Sequence, residues 1–289
     1  MCRLFGMSSA PARVRATFWL VAAPDSLEQQ SRTNPDGTGI GVFATDGRPV
    51  TLRQPVAAWQ DHEFALEARD LESATFVAHV RYASTGGLSI ANTHPFEQDG
   101  RLFAHNGVIQ GMDDLEAELA TEGPGLCPAV SGSTDSERFF ALITREIRRR
   151  DGDVGAGIIA AARWVATHLP LYALNLVLTT PDELWALRYP DTHELYVLDR
   201  PGGGQHLDHT GTDRSLRVHS QDLSDAACVV VASEPMDDDP RWRPMLSGEF
   251  IHVSPGHVLS STVVLPDEPT YRLQLTDLHP EVAASQGAS

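Results

Sequence analysis

The sequence contains no lysine; all 22 of its basic residues are arginine. That excludes Schiff-base catalysis, a phosphate-loop lysine and a lysine general base. Cysteine is nearly as scarce, with only Cys2, Cys127 and Cys228. An odd, sparse set builds no disulfide framework and points to a reducing, cytoplasmic setting. No run approaches the ~18 apolar residues of a membrane span, and no secretory leader precedes Cys2. A formal net charge of −17 disfavours nucleic acid or an anionic membrane surface as a partner. Metal-ligand spacing is also missing. His79, His94 and His105 are far apart and irregularly spaced, with no second ligand two to four residues away. The glycines at 202–204 lack the strand-then-helix context of a phosphate loop. The reading is therefore of a protein with no metal and no cofactor.

What is present reads as strands, then two helices, then many strands. LFGMS directly behind Cys2 is strand-like, and VRATFWLVAAPDSLEQQS reads as helix broken at Pro24. NPDGTG is turn chemistry, followed by a hairpin of GIGVFA and PVTLR. ATFVAHVRYAS from Ala74 is a β-rich run, and LFAHNGVI is a short strand interrupted at Asn106–Gly107. STDSERFFALITREIRRR is a helix, with Thr134 and Glu137 at capping-box spacing and arginines in its last turn. VGAGIIAAARWVATHL is apolar on nearly every face, as a helix sandwiched between layers would be. From Tyr172 onward, eight short strand patterns alternate with turn residues. This order predicts one α+β domain over residues 1–279, with two antiparallel sheets and helices outside, and a flexible tail over 280–289.

Four polar stretches stand at strand or helix ends: Cys2, RYAST (81–85), AHNG (104–107) and STDSE (133–137). They match the needs of a γ-glutamyl amide. Its α-carboxylate calls for a planar charged fork, which Arg81 offers, with Ser84 and Thr85 as further donors. Its α-ammonium calls for a carboxylate, and Asp135 is one. A tetrahedral oxyanion calls for fixed donors, available from the Asn106 side chain and the Gly107 backbone. A residue-2 cysteine exposed by loss of Met1 carries its thiol and a free amine on adjoining atoms, a nucleophile with its own base. Each feature has a plainer reading: a surface ion pair for Arg81, a hairpin turn for Asn106–Gly107, a helix-dipole residue for Asp135.

Taken in order, MCRLFG, VRYASTGG, NTHPF, AHNG and STDSE resemble the motifs of the class II, N-terminal nucleophile glutamine amidotransferases. VASEPMDDDPRWRPMLSGEF (231–250) resembles that family's closing hairpin region. The similarity is greatest to small stand-alone members, such as the γ-glutamyl hydrolase of ergothioneine biosynthesis. The resemblance implies an αββα sandwich, a nucleophile at Cys2, an oxyanion hole at Asn106 and Gly107, a carboxylate clamp at Arg81 and an ammonium clamp at Asp135. His94, in NTHPF, is expected to shape the pocket through hydrogen bonds to neighbouring backbone.

Two departures stand out. TNPDGTG replaces the family's Arg-Gly-Tyr-Asp-like turn, leaving Thr33 in the arginine position with Arg32 beside it. Thr85 stands where several synthases carry histidine. The implied reaction is attack by the Cys2 thiolate on a γ-amide, followed by hydrolysis of a γ-glutamyl thioester. Reference pKa values of about 8 for an α-amine and about 8.5 for a thiol make the first proton transfer nearly balanced. The substrate is then a γ-glutamyl conjugate or glutamine. Two further readings are a glutaminase subunit delivering ammonia to a synthase partner in trans, and a non-catalytic protein that binds a γ-glutamyl compound.

Overall fold

The strand Gly37–Phe43 reads GTGIGVF, and its two faces differ in kind. Ile40 and Val42 join an apolar cluster with Phe5, Met7, Ala78 and Val80 on one side. The other side is mostly glycine, because something comes too close for a side chain. A Cβ on Gly39 would stand 2.1 Å from the His94 carbonyl oxygen, and one on Gly6 of the first strand 2.6 Å from Val177. These bare positions let a second sheet and the His94 segment lie directly on the first sheet.

The computed structural model describes residues 2–82, 87–121, 130–202, 208–210, 217–219 and 226–287. The first sheet runs Arg243–Pro244, Tyr196–Arg200, Cys228–Ala232, Arg3–Ser8, Thr75–Arg81, Gly37–Phe43 and Pro49–Gln54. All its pairings are antiparallel. The start of the chain is thus a central strand. Leu4 faces His79 on one side, and Phe5 lies opposite both Ala78 and Ala232. The second sheet runs Leu259–Val263, Glu249–Val253, Leu184–Leu187, Pro170–Thr179, Arg101–Ile109 and Phe96–Gln98. Leu4, Val77, Leu102, Ala104, Val177, Leu184, Val229 and Ile251 fill the space between the sheets.

Helices Asp135–Arg148 and Val154–His168 cover the outer face of the second sheet through Phe139, Phe140, Ile143, Ile158 and Val165. Phe140 stacks on Phe103 of the sheet at 4.7 Å between ring centroids. The outer face of the first sheet is covered by the segment around Trp19 and by helix His62–Asp70, through Phe64 and Ala68. Layers therefore run helix, sheet, sheet, helix, as the sequence order predicted.

Several local expectations change. The segment around Trp19 is one π-helical turn, Phe18–Ala22, followed by a four-residue helix, Leu27–Gln30. Strand Arg101–Ile109 runs unbroken through Asn106 and Gly107, paired with Asn175 and Leu174, and its irregularity falls between Val108 and Ile109. Asn-Gly is therefore strand here rather than turn, because the ladder to Pro170–Thr179 overrides a local turn preference. Helix Val154–His168 is an outer-layer helix, not a sandwiched one; Arg163, Thr167 and His168 are exposed. The expected flexible tail folds as helix Pro280–Gly287. Its Val282 and Ala283 pack at the cluster of Val108, Tyr172, Ala173 and Leu278, and Gln286 Oε1 meets His193 Nε2 at 2.7 Å.

Gly39→Ala should be among the costlier small substitutions, since the obstacle is a backbone carbonyl. The expected loss is about 1–3 kcal/mol, the range for overpacking. Gly87→Ala, where a Cβ meets nothing within 4 Å, should be near neutral. Urea midpoints of the two variants check this; equal midpoints would contradict the close packing at Gly39.

Candidate active site

The site forms where the central strand of the first sheet begins. Cys2 is half-buried, with its Sγ accepting from the Tyr82 amide at 3.3 Å and lying 3.4 Å from the Tyr82 carbonyl. Two further ties fix the next residues. Ser233 Oγ accepts from Leu4 N at 2.9 Å while Ser233 N donates to the Leu4 carbonyl at 3.1 Å, and Arg3 Nε donates to Glu234 at 3.0 Å. These contacts come from the VASEP stretch, so that segment holds the chain start from one side as Tyr82 holds it from the other.

The second sheet supplies the facing group. Leu102 and Ala104 face the inter-sheet core, and the strand's period of two brings Asn106 to the same side. Its Nδ2 donates to the Cys2 carbonyl at 2.9 Å. Gly107 follows at a position where a Cβ would stand 1.9 Å from the Ala173 carbonyl oxygen, so only glycine fits. His105, on the outer side, has Nδ1 2.9 Å from Ser136 Oγ.

Asp135 opens its helix behind the Thr134 N-cap, whose hydroxyl accepts from Glu137 N at 3.2 Å. Only half of the expected capping box forms. The Glu137 carboxylate turns to the amides of Ser131 and Gly132, at 2.9 and 2.6 Å. Asp135 Oδ2 accepts from Ile109 N at 2.9 Å, which satisfies the amide at the strand irregularity. Arg81 ends its strand with Nη1 donating to the Gly87 carbonyl at 3.2 Å. Asn92 binds the same carbonyl and also Ser133, so the first residue of NTHPF links the Arg81 and Asp135 elements. Sequence reasoning missed Asn92, the Tyr82 amide and Ser233. Each lies inside a motif already quoted, but its partner is distant in sequence.

Cys2, Arg81, Asp135, His79, His94 and His105 border one cavity of about 20 Å³. Ser84 and Thr85 lie outside the described residues, as does Cys127. Arg32 does not join the site. It is exposed and sits 5.2 Å over the Trp59 ring, while Thr33 bonds back to the Gln30 carbonyl. His94 is buried, but its ring nitrogens find no backbone partner among the described residues, contrary to expectation. Cys228 is a buried free thiol in strand Cys228–Ala232, pushed up to about 11 by burial.

Burial also pushes the Cys2 thiol up, against smaller opposing effects of the Tyr82 amide, the chain's amino terminus, Arg81 and Arg3. Burial thus favours the neutral thiol. For Arg81, burial works against the charge, and Cys2, Asp36 and Asp135 work for it. His79 is driven down to about 3 by burial, with Arg81 and His105 adding. Burial first, then His79, His105, Arg81 and Arg53, hold His94 well below the imidazole range.

The chain matches the model of the class-II glutamine amidotransferases over residues 1–277 and belongs to that family. It is 28% identical over 227 residues to the gamma-glutamyl-hercynylcysteine sulfoxide hydrolase of Mycolicibacterium smegmatis, covering 78% of this chain and 81% of that one. It is 25% identical over 263 residues to the putative glutamine amidotransferase YafJ of Escherichia coli K12, covering 86% of this chain and 96% of the relative. Among solved structures, the glutamine phosphoribosylpyrophosphate amidotransferase of B. subtilis superposes with a TM-score of 0.63 at 17% identity. It covers 92% of this chain, which spans 50% of that one. The likeness to that structure places the fold, two antiparallel sheets between helical layers, with the amidotransferases. No helix among the described residues is long and apolar enough to cross a membrane.

The buried histidines give the protein an acid sensitivity. His79 falls to about 3 and His193 to about 4, both chiefly by burial. Between pH ~6.5 and those values the unfolded chain binds protons that the native rings refuse. Stability is then full above pH ~6.5 and is lost as pH falls, by about 1.4 kcal/mol per pH unit for each such ring. Urea unfolding from pH 7 to 5 should show this decline, whereas a flat profile would mean the rings protonate in place.

Proposed function

We propose that the chain hydrolyses a γ-glutamyl amide through Cys2. The observation that carries the reading is the hydrogen bond from the Asn106 side chain of the opposite sheet to the Cys2 carbonyl, 2.9 Å long, at a residue that borders one cavity with Arg81 and Asp135. With Met1 removed, the α-amine of Cys2 takes the thiol proton, directly or through a water. The thiolate adds to the γ-carbonyl carbon, and Asn106 with Gly107 steadies the oxyanion. The C–N bond then breaks as the amine leaves with a proton from the ammonium of Cys2. Water clears the thioester, giving γ-carboxylate and free thiol.

Arg81 reads the substrate α-carboxylate and Asp135 its α-ammonium. These are opposite charges on adjoining positions of one amino-acid end, and Arg81 and Asp135 border the same cavity. Ser84 and Thr85 complete the proposed binding set. The 28%-identical hydrolase, whose name specifies a γ-glutamyl compound, supports a conjugate rather than free glutamine as substrate. A thiol nucleophile also suits a reducing, cytoplasmic setting.

A panel of γ-glutamyl amides tests the substrate class: at least one conjugate should turn over faster than glutamine. If glutamine is best, and only when a second protein is added, the ammonia-donor reading replaces this one. Cys2→Ala should abolish turnover while Cys228→Ala preserves it, and a glutamine-analogue alkylator should label Cys2. Retained Met1 in the intact mass of active protein would remove the self-activated nucleophile.

Asn106→Ala should slow turnover by about 10²–10³-fold with little change in KM, as expected for a donor that meets charge developing in the transition state. An effect confined to KM would make Asn106 a ground-state contact instead.

A further inference from the structure

His79 and His94 come from different elements, a strand of the first sheet and the loop laid over Gly39. Their rings lie 4.3 Å apart and are almost wholly buried, at 0% and 5% exposure. None of their four ring nitrogens has a hydrogen-bond partner among the described residues. Such groups are costly to bury unpaired, and native structures satisfy nearly all of them with protein or ordered water. Both rings border the cavity that also touches Cys2, and its roughly 20 Å³ has room for a water. No group of three or more His, Cys, Asp or Glu among the described residues is arranged to hold a metal. Two neutral imidazoles together present two N–H donors and two lone pairs, which is what a buried water exchanges.

We infer that His79 and His94 hold the water that hydrolyses the γ-glutamyl thioester. The inference rests on the Cys2 reading above and extends it to the second half-reaction. The water oxygen adds to the thioester carbonyl carbon, and the C–S bond breaks. One water proton passes through the α-amine to the departing sulfur, and the other stays with the new carboxyl group, which ionises to solvent. Both rings are held neutral by burial. They orient the water through its hydrogen bonds and never take its proton, so they are positioning residues.

Hydroxylamine competes with water for the thioester, so the ratio of γ-glutamyl hydroxamate to glutamate reports on water delivery alone. His79→Phe and His94→Phe should each raise that ratio by about tenfold, the worth of one good hydrogen bond. Labelling of Cys2 by the glutamine-analogue alkylator should proceed near the wild-type rate. His94→Gln, which keeps a donor and an acceptor, should hold the ratio near wild type. An unchanged ratio in the Phe variants overturns the inference. Should those variants not fold, a high-resolution crystal structure of the wild type decides: a water bonded to both rings upholds it, and a cavity without one overturns it. Absence of both alkylation and hydroxamate in the wild type would instead remove the Cys2 reading beneath it.

Discussion

One hydrogen bond joins the two sheets at the point that matters, from the Asn106 side chain to the Cys2 carbonyl. It can form only if both registers are right. A slip of one residue in strand Arg101–Ile109 would turn Asn106 to the helix side and bring His105 inward. On the other sheet, the ladder from Arg3 to Ser8 against Thr75–Arg81 sets where Cys2 ends up. Gly6 and Gly39 make the approach of the layers possible at all, since each would put a Cβ into an atom of the facing layer. The site is thus a product of sheet geometry more than of any loop.

The same geometry explains the electrical character of the cavity. Arg81 and Asp135 bring opposite charges to its wall, and three imidazoles lie beside them in surroundings that favour the uncharged form. Charge is therefore confined to one part of the wall, and the three rings beside it are polar but neutral. That separation would keep the half-buried Cys2 thiol from being flanked by competing protonated imidazoles.

Much of this was legible in the sequence where a motif is its own context. Cys2, Arg81, Asn106 and Asp135 stand in short stretches of recognisable chemistry, and the structure brings them to one place. The sandwich followed from the order of strand and helix patterns. What stayed hidden depended on partners far along the chain. Asn106–Gly107 carries a turn signal, yet a long ladder with Pro170–Thr179 makes it strand. His79 and His94 are fifteen residues apart with no ligand spacing, and only the bare face of Gly39 lets their rings meet. PEVAASQGAS has the composition of a frayed end, but one buried glutamine gives it a docking point.

That docking point reaches further than its place in the chain suggests. Gln286 meets His193, and the His193 carbonyl accepts from the side chain of Asn175, the residue that lies opposite Asn106 in the ladder. Four contacts, the last from Asn106 to the Cys2 carbonyl, therefore link the helix Pro280–Gly287 to the first strand. Loss of the helix Pro280–Gly287 would look harmless on a map of motifs. In the folded molecule it would pull out the wedge behind the strand that carries Asn106. Two segments almost three hundred residues apart answer to one another, and damage to the later one would be felt at the earlier.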